Sequence, residues 1–453
     1  MYIRIYNQKV VKTTRSVDIG RCRHMSEELD SPPLTCYLHR IGETPVETER
    51  TEQAFALPMG EHVGQFESRL NFHRKLAAIV LLVFAVSFFF PFFFARENRI
   101  SAEIPGGIAE LALLPTLLLL LPPTMILLYA LIRNSRRSEW LLSFAGTLGL
   151  LAPLAVLAYV GPRVVSTLGP FARYSPGSGM YLYLTAVAIV YLMKARIRIG
   201  DYIGLAVALA VVLALGHQGS FNRLGILLEA RNFGTRLSRE ILAHIRITGI
   251  SIGISVLVGI PLALVTFQSR RMRKLVFPLL NVLQTIPGIA LFGLLIAPLA
   301  ALSQAFPQLR EWGIKGIGNT PAIIALSMYA LYPIIRYSFT AISSIDASVV
   351  LAAQGMGMSS GQVWRIVRFP LATPGILHGI RVALVQTIGN ATLAKLIGGD
   401  GLGVLVFEGL GQASVDMVLL GMLLIIALTV AADRIFQILI TVLTPVSLRR
   451  EGA

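Results

Sequence analysis

The sequence predicts an all-α polytopic membrane protein with about ten transmembrane helices. Of its 453 residues, 55% are hydrophobic and only 14% are charged, and the mean hydropathy is +0.69. So apolar a chain is unlike an ordinary soluble domain and is typical of a protein that crosses the bilayer many times. The net charge of +16 does not indicate nucleic-acid binding, because the arginines cluster beside apolar runs, where cytoplasmic retention of basic loops explains them.

A polar region precedes the first apolar stretch. Residues 1–73 contain several prolines and no apolar core, so we expect a loosely ordered tail without a cleavable signal sequence. Met25 begins the run Met-Ser-Glu-Glu-Leu, which we interpret as a candidate for an alternative translation start. Cys22 and Cys36 have no nearby pair of histidines at metal-ligand spacing, and we interpret them as incidental thiols.

Ten apolar stretches follow, each judged against the roughly twenty residues that a helix needs to cross the hydrocarbon core. They cover residues 76–94, 108–132, 140–160, 178–193, 201–216, 242–267, 276–301, 320–341, 373–397 and 415–440. Basic clusters follow the second, fourth and sixth stretches, which places those loops in the cytoplasm. Alternation then predicts cytoplasmic termini and a cytoplasmic 342–372 segment, with 217–240 and 398–414 outside the cell.

The composition changes near residue 217, where polar residues begin to recur inside the apolar stretches. We therefore predict four parts. They are a cytoplasmic tail (1–73), a five-span N-terminal membrane region (74–216), a five-span core (217–445) that includes the 342–372 segment, and a cytoplasmic C-terminal tail (446–453).

The seventh stretch carries a stripe of polar side chains. Asn281, Gln284 and Thr285 are spaced to share one helix face, and Pro287 and Gly288 follow, where the helix can kink. Amides are costly in lipid, so they should face other helices or a hydrated path. Two interpretations stay open, namely hydrogen bonds that hold the bundle together and a lining for a translocation pathway.

The ninth stretch repeats this pattern with Gln386 and Asn390, four residues apart. Tyr329 and Tyr332 can bind a quaternary ammonium group through their ring faces, although packing in the bundle is the favoured interpretation. His244 lies near the predicted end of a span, where a structural hydrogen bond is a commoner role than proton relay.

Sequence motifs for catalysis are absent. The chain contains no G-x-x-x-x-G-K-[ST] phosphate loop, no H-E-x-x-H zinc site and no G-x-S-x-G nucleophile elbow. Gly399, Gly401 and Gly403 follow no predicted strand, so a tight external turn is the favoured interpretation. We therefore expect no enzyme activity and no bound cofactor or metal.

Residues 351–370 form a short amphipathic segment between two apolar stretches. Val363, Ile366 and Val367 are predicted to share one helical face, whereas Arg365 faces water or acidic groups of a partner. The segment is too polar to span the bilayer, which favours a surface that docks a partner, or else a helix that lies on the membrane.

The same segment resembles the cytoplasmic signature of binding-protein-dependent ABC importer permeases, an E-A-A motif followed by Gly and then I-x-L-P. The matching positions hold Ala352, Ala353, Gly357, Val367, Phe369 and Pro370, while Leu351 stands where the signature has Glu. The resemblance implies that Ala352, Ala353, Gly357, Val363, Arg365, Val367 and Pro370 couple the chain to an ATPase. It also implies that Gly357→Asp uncouples transport without preventing membrane insertion.

The likeness extends from about residue 240 to 445. Stretches such as Gly259-Ile260-Pro261-Leu262, Gln284-Thr285-Ile286-Pro287 and Ala391-Thr392-Leu393 resemble the glycine betaine, choline and related osmoprotectant permeases. The five additional N-terminal spans resemble an extended form of that family. On this resemblance the last five spans form a type I ABC importer permease core, with Asn281, Gln284, Thr285, Gln386 and Asn390 along the translocation pathway.

The resemblance implies the rest of the transport machine. A separate cytoplasmic ABC ATPase binds the ATP, a second permease subunit, identical or homologous, completes the pathway, and an extracytoplasmic substrate-binding protein delivers the solute at a bacterial inner membrane. The alternatives are a permease for an amino acid or other small solute and an ion-coupled secondary transporter. For the latter, Asp416 and Asp433 are the available proton-relay candidates, and we see no inverted repeat.

Overall fold

The computed structural model describes residues 74–99, 101–107, 110–111, 113–132, 136–193, 199–311 and 313–444. The two predicted tails, 1–73 and 446–453, lie outside these residues. The chain divides after Leu76 into two units, and the fold described below is that of Ala77–Ala453 together with residues 74–76, which begin its first helix.

The N-terminal membrane region combines helices with a small sheet. Its helices are α1 (74–87), α2 (Leu113–Ile132), α3 (Arg136–Leu168), α4 (Ser178–Leu192) and α5 (Ile199–His217), and its strands are β1 (Phe93–Arg96), β2 (Ile104–Gly106) and β3 (Arg173–Pro176). The strands pair antiparallel in the order β2–β1–β3. Within the residues that the structure describes, this small sheet departs from the predicted all-α class.

The core contains further helices in chain order. They are α6 (Gly225–Phe233), α7 (Thr235–Gln268), α8 (Arg270–Thr285), α9 (Gly288–Ala305), α10 (Pro307–Glu311), α11 (Asn319–Ser343), α12 (Ala347–Gly355), α13 (Ser360–Gln362), α14 (Phe369–Asn390), α15 (Gly403–Gly411) and α16 (Val415–Leu443). A π-helical turn, Val363–Arg368, leads directly into α14, and a 3-10 helix, Ala391–Ile397, follows it.

The membrane fold class is confirmed. In the part of the chain that the structure describes, eight helices are long and apolar enough to cross a bilayer. The predicted first and fourth spans correspond to the shorter helices α1 and α4. The first is shorter than predicted because the chain leaves the helix after residue 87 and enters β1.

The predicted kink in the seventh span is a complete break. Helix α8 ends at Thr285, Ile286 is extended, and α9 begins at Gly288. Pro287 carries no backbone N–H and disfavours a helical conformation in the residue before it, so the break falls directly in front of the proline.

Helices α7, α11, α14 and α16 form the centre of the core, with α11 packed against both α7 and α14. Serines join α7 to α11, since the Ser255 Oγ donates a hydrogen bond to the Ser327 carbonyl oxygen at 2.9 Å. Gly379 brings α14 close to α11, because a Cβ at this position would lie 2.7 Å from the Cβ of Tyr337. Small residues and interhelical hydrogen bonds are the usual means of packing helices in a membrane.

The core has two distinct ends. Helix α14 begins beside the 342–372 segment and ends at residues 391–414, which we call the hairpin segment, so these two features lie at opposite ends of the bundle. The hairpin segment is more than the predicted tight turn. Gly398 and Gly401 adopt positive φ values of 79° and 114°, but α15 follows them and packs Val404 and Leu405 into the interior.

Candidate functional site

Gly357 ends α12 in a Schellman motif. The Met358 N–H donates to the Ala353 carbonyl and the Gly357 N–H to the Gln354 carbonyl, the two bonds that define this motif. Gly357 has φ of +83° and open space where a Cβ would be. The sequence therefore needs glycine at this position for backbone conformation and not for close packing.

Side-chain caps start the helices on either side of this turn. Ser359 and Gln362 form a reciprocal capping box at α13. At α12 the Asp346 carboxylate accepts a hydrogen bond from the Ser348 N–H at 2.9 Å. That bond holds the pKa of Asp346 below its usual range. The caps fix a helix–turn–helix shape that does not depend on a partner.

The predicted apolar face of this segment is wrong at one position. Val363 is buried and Val367 is half-buried, as expected, but Ile366 is 59% exposed. The reason is the π-helical geometry of Val363–Arg368. Its i→i+5 bonds turn less per residue than an α-helix, so positions three apart no longer share a face.

The segment leaves apolar side chains uncovered. Among the residues predicted to couple to an ATPase, Ala353 and Val363 are buried, Val367 and Pro370 are half-buried, and Ala352, Gly357 and Arg365 are exposed. The large exposed side chains beside them are Leu351, Met356, Ile366 and Phe369. We call these four residues, with the Gly357 turn, the docking face.

An aromatic contact missed by the sequence analysis joins this segment to the bundle. The Trp364 ring packs edge-on against Phe267, at the end of α7, with ring centroids 5.7 Å apart. The Arg368 guanidinium lies 5.3 Å from the Phe267 ring centroid and 5.2 Å from that of Trp364. Arg273 covers Phe339 of α11 in the same way. We call Phe267, Arg273, Phe339, Trp364 and Arg368 the aromatic link.

The first polar stripe divides between packing and exposure. The Gln284 Nε2 donates a hydrogen bond to the Tyr329 carbonyl oxygen of α11 at 2.9 Å. Gln284 therefore links α8 to α11. The Thr285 Oγ1 donates to the Val282 carbonyl oxygen of its own helix. Asn281 is exposed on the surface of α8.

Tyr329 is a packing residue in this structure. Its side chain is buried, and its hydroxyl donates to the Ile286 carbonyl oxygen, which the break between α8 and α9 leaves without a helical partner. Such satisfaction of freed backbone groups is what permits a broken helix inside a bundle. These contacts support the packing role that the sequence favoured for Tyr329.

The second stripe, on α14, is more open. Gln386 is exposed and Asn390 is half-buried. Helices α8 and α14 both pack on α11. Beyond the two stripes, the start of α9 meets the 3-10 helix, where a Cβ on Gly288 would lie 3.3 Å from the Leu393 side chain.

Hydrogen bonds from α7 hold the hairpin segment. The Leu402 N–H donates to the His244 Nδ1 at 3.3 Å, and the other ring nitrogen bonds the Ile388 carbonyl oxygen at 3.1 Å. The Gly401 N–H donates to the Glu240 carboxylate at 2.9 Å. His244 is therefore a satisfied structural residue, as the sequence analysis favoured.

A second charged group fixes the same segment. Glu408 accepts hydrogen bonds from Arg236 of α7 at 2.9 Å and from Lys395 at 3.2 Å. Burial alone raises the pKa of Glu408, but the bonds from these two cations bring it below its ordinary value. The charged residues of 217–240 and the hairpin segment were both visible in the sequence, but their pairing was not.

The two proton-relay candidates are engaged in contacts. Asp433 forms a bidentate ion pair with Arg381 of α14, with N–O distances of 2.6 and 2.8 Å. Asp416 is buried and accepts a hydrogen bond from the Ser175 hydroxyl of β3. These contacts give both carboxylates a structural role.

Comparison with known proteins identifies the class. Residues 255–444 match the family of binding-protein-dependent transport system inner membrane components, and residues 72–227 match the N-terminal domain of the ABC transporter permease YehY. The chain is 35% identical to the osmoprotectant import permease protein OsmW of Salmonella typhimurium, over 46% of this chain and 91% of that one. It is 31% identical to the choline transport system permease protein OpuBB of Bacillus subtilis, over 48% and 93%.

A solved structure of the MetNI methionine ABC transporter is also similar, with 18% identity and a TM-score of 0.41, over 47% of this chain and 99% of that one. From the sequence relatives, the chain belongs to the binding-protein-dependent ABC permeases. It is a multi-span transporter subunit of the inner membrane, and its family implies ATP use by partner subunits together with a substrate-binding protein.

Proposed function

We propose that this chain is the permease of an ABC importer that carries a quaternary ammonium osmoprotectant, such as glycine betaine or choline, into the cell. The observation that carries the proposal is the likeness of the core to permeases named for osmoprotectant, choline and carnitine transport, four of which are 30–35% identical to this chain. Each of these relatives is matched over about nine tenths of its own length.

The docking face is the proposed contact for the ATPase. Full burial of a large apolar side chain against a partner is favourable by about 1.5–3 kcal/mol relative to leaving it in water, and the docking face has four such side chains. The capping box and the Schellman turn present them on a preformed shape, which reduces the entropy lost on binding. A partner with an apolar groove is therefore the expected occupant.

The aromatic link is the proposed route for force from the docking face to the bundle. Trp364 and Arg368 move with the π-helical turn, and they contact Phe267 at the end of α7. Rigid packed elements transmit a partner's movement as shifts of whole helices. We therefore expect displacement of the docking face by the ATPases to move α7 and α14 together.

The proposed pathway runs beside the open parts of the two stripes. Asn281, Gln386 and Asn390 offer amides on exposed or half-exposed surfaces, which a second permease subunit would enclose. Gln284 and Thr285 already bond within the chain, so we assign them to positioning of the break at Pro287. The basic loops support a cytoplasmic docking face and an external hairpin segment.

The test is uptake of labelled glycine betaine by cells that lack their own betaine importers and express this chain with its genomic neighbours. Uptake should vanish when the partner ATPase carries an inactivating change, and excess choline or carnitine should compete. Competition by an amino acid and not by these compounds would assign a different solute class. Uptake that persists with the inactive ATPase would contradict ATP-driven import.

A further inference from the structure

A buried carboxylate joins the N-terminal membrane region to the core. Glu229 of α6 is 1% exposed. Its Oε1 lies 2.8 Å from the Arg173 Nη1 of β3, and Arg99, just after β1, approaches both oxygens at 3.0 and 3.1 Å. A buried charge stays ionised only when it is paired, and loss of one partner from such a group is strongly destabilising.

A second carboxylate at the same junction belongs to the start of α16. Asp416 is buried, and its Oδ2 accepts a hydrogen bond from the Ser175 Oγ of β3 at 2.8 Å. Gly225, the first residue of α6, is so close that a Cβ there would lie 2.0 Å from the same oxygen. Strand β3 also bonds the chain before α6, since the Tyr174 N–H donates to the Arg223 carbonyl oxygen at 3.2 Å.

These contacts reach both sides of the hairpin segment. Arg99 donates a hydrogen bond at 2.8 Å to the side chain of Gln412, which follows the end of α15 and lies two residues before Ser414, the N-cap of α16. On the other side, α6 packs Ile226 and Phe233 against a cluster that includes Leu402 and Leu405. The β-sheet therefore holds the helix on which the hairpin segment rests and the residues in which it ends.

We propose that the N-terminal membrane region is a brace that keeps the hairpin segment closed, acting through Arg99, Arg173 and Ser175 on Glu229, Gln412 and Asp416. The hairpin segment is packed shut at this end of the core, with Ala394 and Leu405 fully buried. It can lift only if α6 and the start of α16 move with it. Separating these elements would leave Glu229 as a buried charge without its partners, which is strongly destabilising, so the contacts oppose opening.

This inference rests on the proposed function in one respect, namely that the closed end is the entrance for the solute. The contacts that hold the hairpin segment closed do not depend on which solute is carried. An accessibility measurement without solute therefore tests the brace even if the transport assignment fails.

The experiment measures labelling of an introduced thiol in the assembled transporter. In a full-length chain with Cys22 and Cys36 replaced by serine, Ala394→Cys places a small thiol in the buried part of the hairpin segment. Ser238→Cys, at an exposed polar position of the same end, reports assembly and sidedness. An impermeant maleimide is added outside intact cells, and the two labelling rates are compared.

We expect Glu229→Gln and Arg173→Met each to raise the labelling rate of the thiol at 394 roughly tenfold relative to the thiol at 238, because each breaks a buried pair. Ser175→Ala should give a smaller rise. The matched control is Glu103→Gln, which breaks an exposed ion pair between Arg96 at the end of β1 and the residue before β2 and should leave the ratio unchanged.

A thiol at 394 that stays protected in all three brace variants would overturn the proposal, provided the thiol at 238 is labelled normally and the ATPase co-purifies. If Arg173→Met fails to assemble, the milder Glu229→Gln and Ser175→Ala variants decide the outcome in the same way. A rise that also occurs with Glu103→Gln would assign the effect to general loosening of the sheet and would reject a brace.

Discussion

The two ends of the core are built from different interactions. At the hairpin segment, Glu229 of α6 pairs with Arg173, Glu408 of α15 pairs with Arg236, and the buried Asp416 of α16 accepts a hydrogen bond from Ser175. At the docking face, cation–π and aromatic contacts such as Trp364 with Phe267 support the segment from behind, and apolar side chains remain uncovered in front. One end is completed by contacts within the chain, while the other is the end at which we propose that a partner docks.

The difference teaches where motion should start. Ion pairs in a nonpolar setting hold a defined geometry and resist gradual displacement. Aromatic pairs add only about 0.5–1.5 kcal/mol each beyond the area they bury. We therefore expect the aromatic link to pass a movement of the docking face to α7 and α14, while the opposite end changes between discrete states.

The largest effect that we expect on transport follows from loss of the turn at the docking face, and it tests the difference between the two ends of the core. Gly357→Val places a β-branched residue at φ of +83°, a conformation that costs an L-residue about 1–2 kcal/mol and more when it is β-branched. We expect uptake to fall about tenfold or more, with normal membrane insertion. Gly357→Asn should retain much of the activity, because Asn tolerates this conformation.

The control for that variant is Gly361→Ala, since Gly361 does not have a positive φ and has open space around it. It should transport normally. Equal losses from Gly357→Val and Gly357→Asn would show that the turn's conformation is not what matters.

The next effect separates the aromatic link from the docking face. Trp364→Ala removes contacts with Phe267 and Arg368 that are worth about 0.5–2 kcal/mol each. We expect uptake per ATP hydrolysed to fall several-fold while the ATPase still co-purifies. Ile366→Ala should do the reverse and weaken co-purification, and identical behaviour of the two variants would remove the distinction.

A smaller effect sharpens the description of the other end. Gly225→Ala puts a methyl group where a Cβ would lie 2.0 Å from the Asp416 carboxylate, and overpacking of this kind costs about 1–3 kcal/mol. The melting temperature of the purified transporter should fall by a few degrees. Gly253→Ala in α7, where a Cβ would meet nothing within 4 Å, should leave it unchanged.

The smallest expected effect lies between the two ends. Ser255→Ala removes the hydrogen bond to the Ser327 carbonyl, and interhelical bonds in membrane proteins average about 0.6 kcal/mol. The melting temperature should fall by less than in Gly225→Ala. A larger fall would mean that the serine seam, and not the ends, sets the stability of the bundle.

Much of the fold was readable from the sequence because the bilayer imposes helix length and composition. The apolar stretches predicted the membrane helices. Pro287 predicted the break and Gly357 predicted the turn, because each of these two residues restricts or permits backbone conformations at its own position. The features that were missed depend on residues far apart in sequence. No periodicity links Glu229 to Arg99, and nothing local indicates that Val363–Arg368 forms a π-helical turn.

Leu351 has a consequence for how subunits sort in a cell with several importers. It is 65% exposed on the docking face and replaces the glutamate of the related signature. An ATPase whose polar groups bond that glutamate would find no hydrogen-bond partner in this leucine. Each polar group buried without a partner would weaken binding by about 1–3 kcal/mol. An ATPase with an apolar patch there would pair well, so a single side chain can protect this permease from assembling with the motor of another transporter.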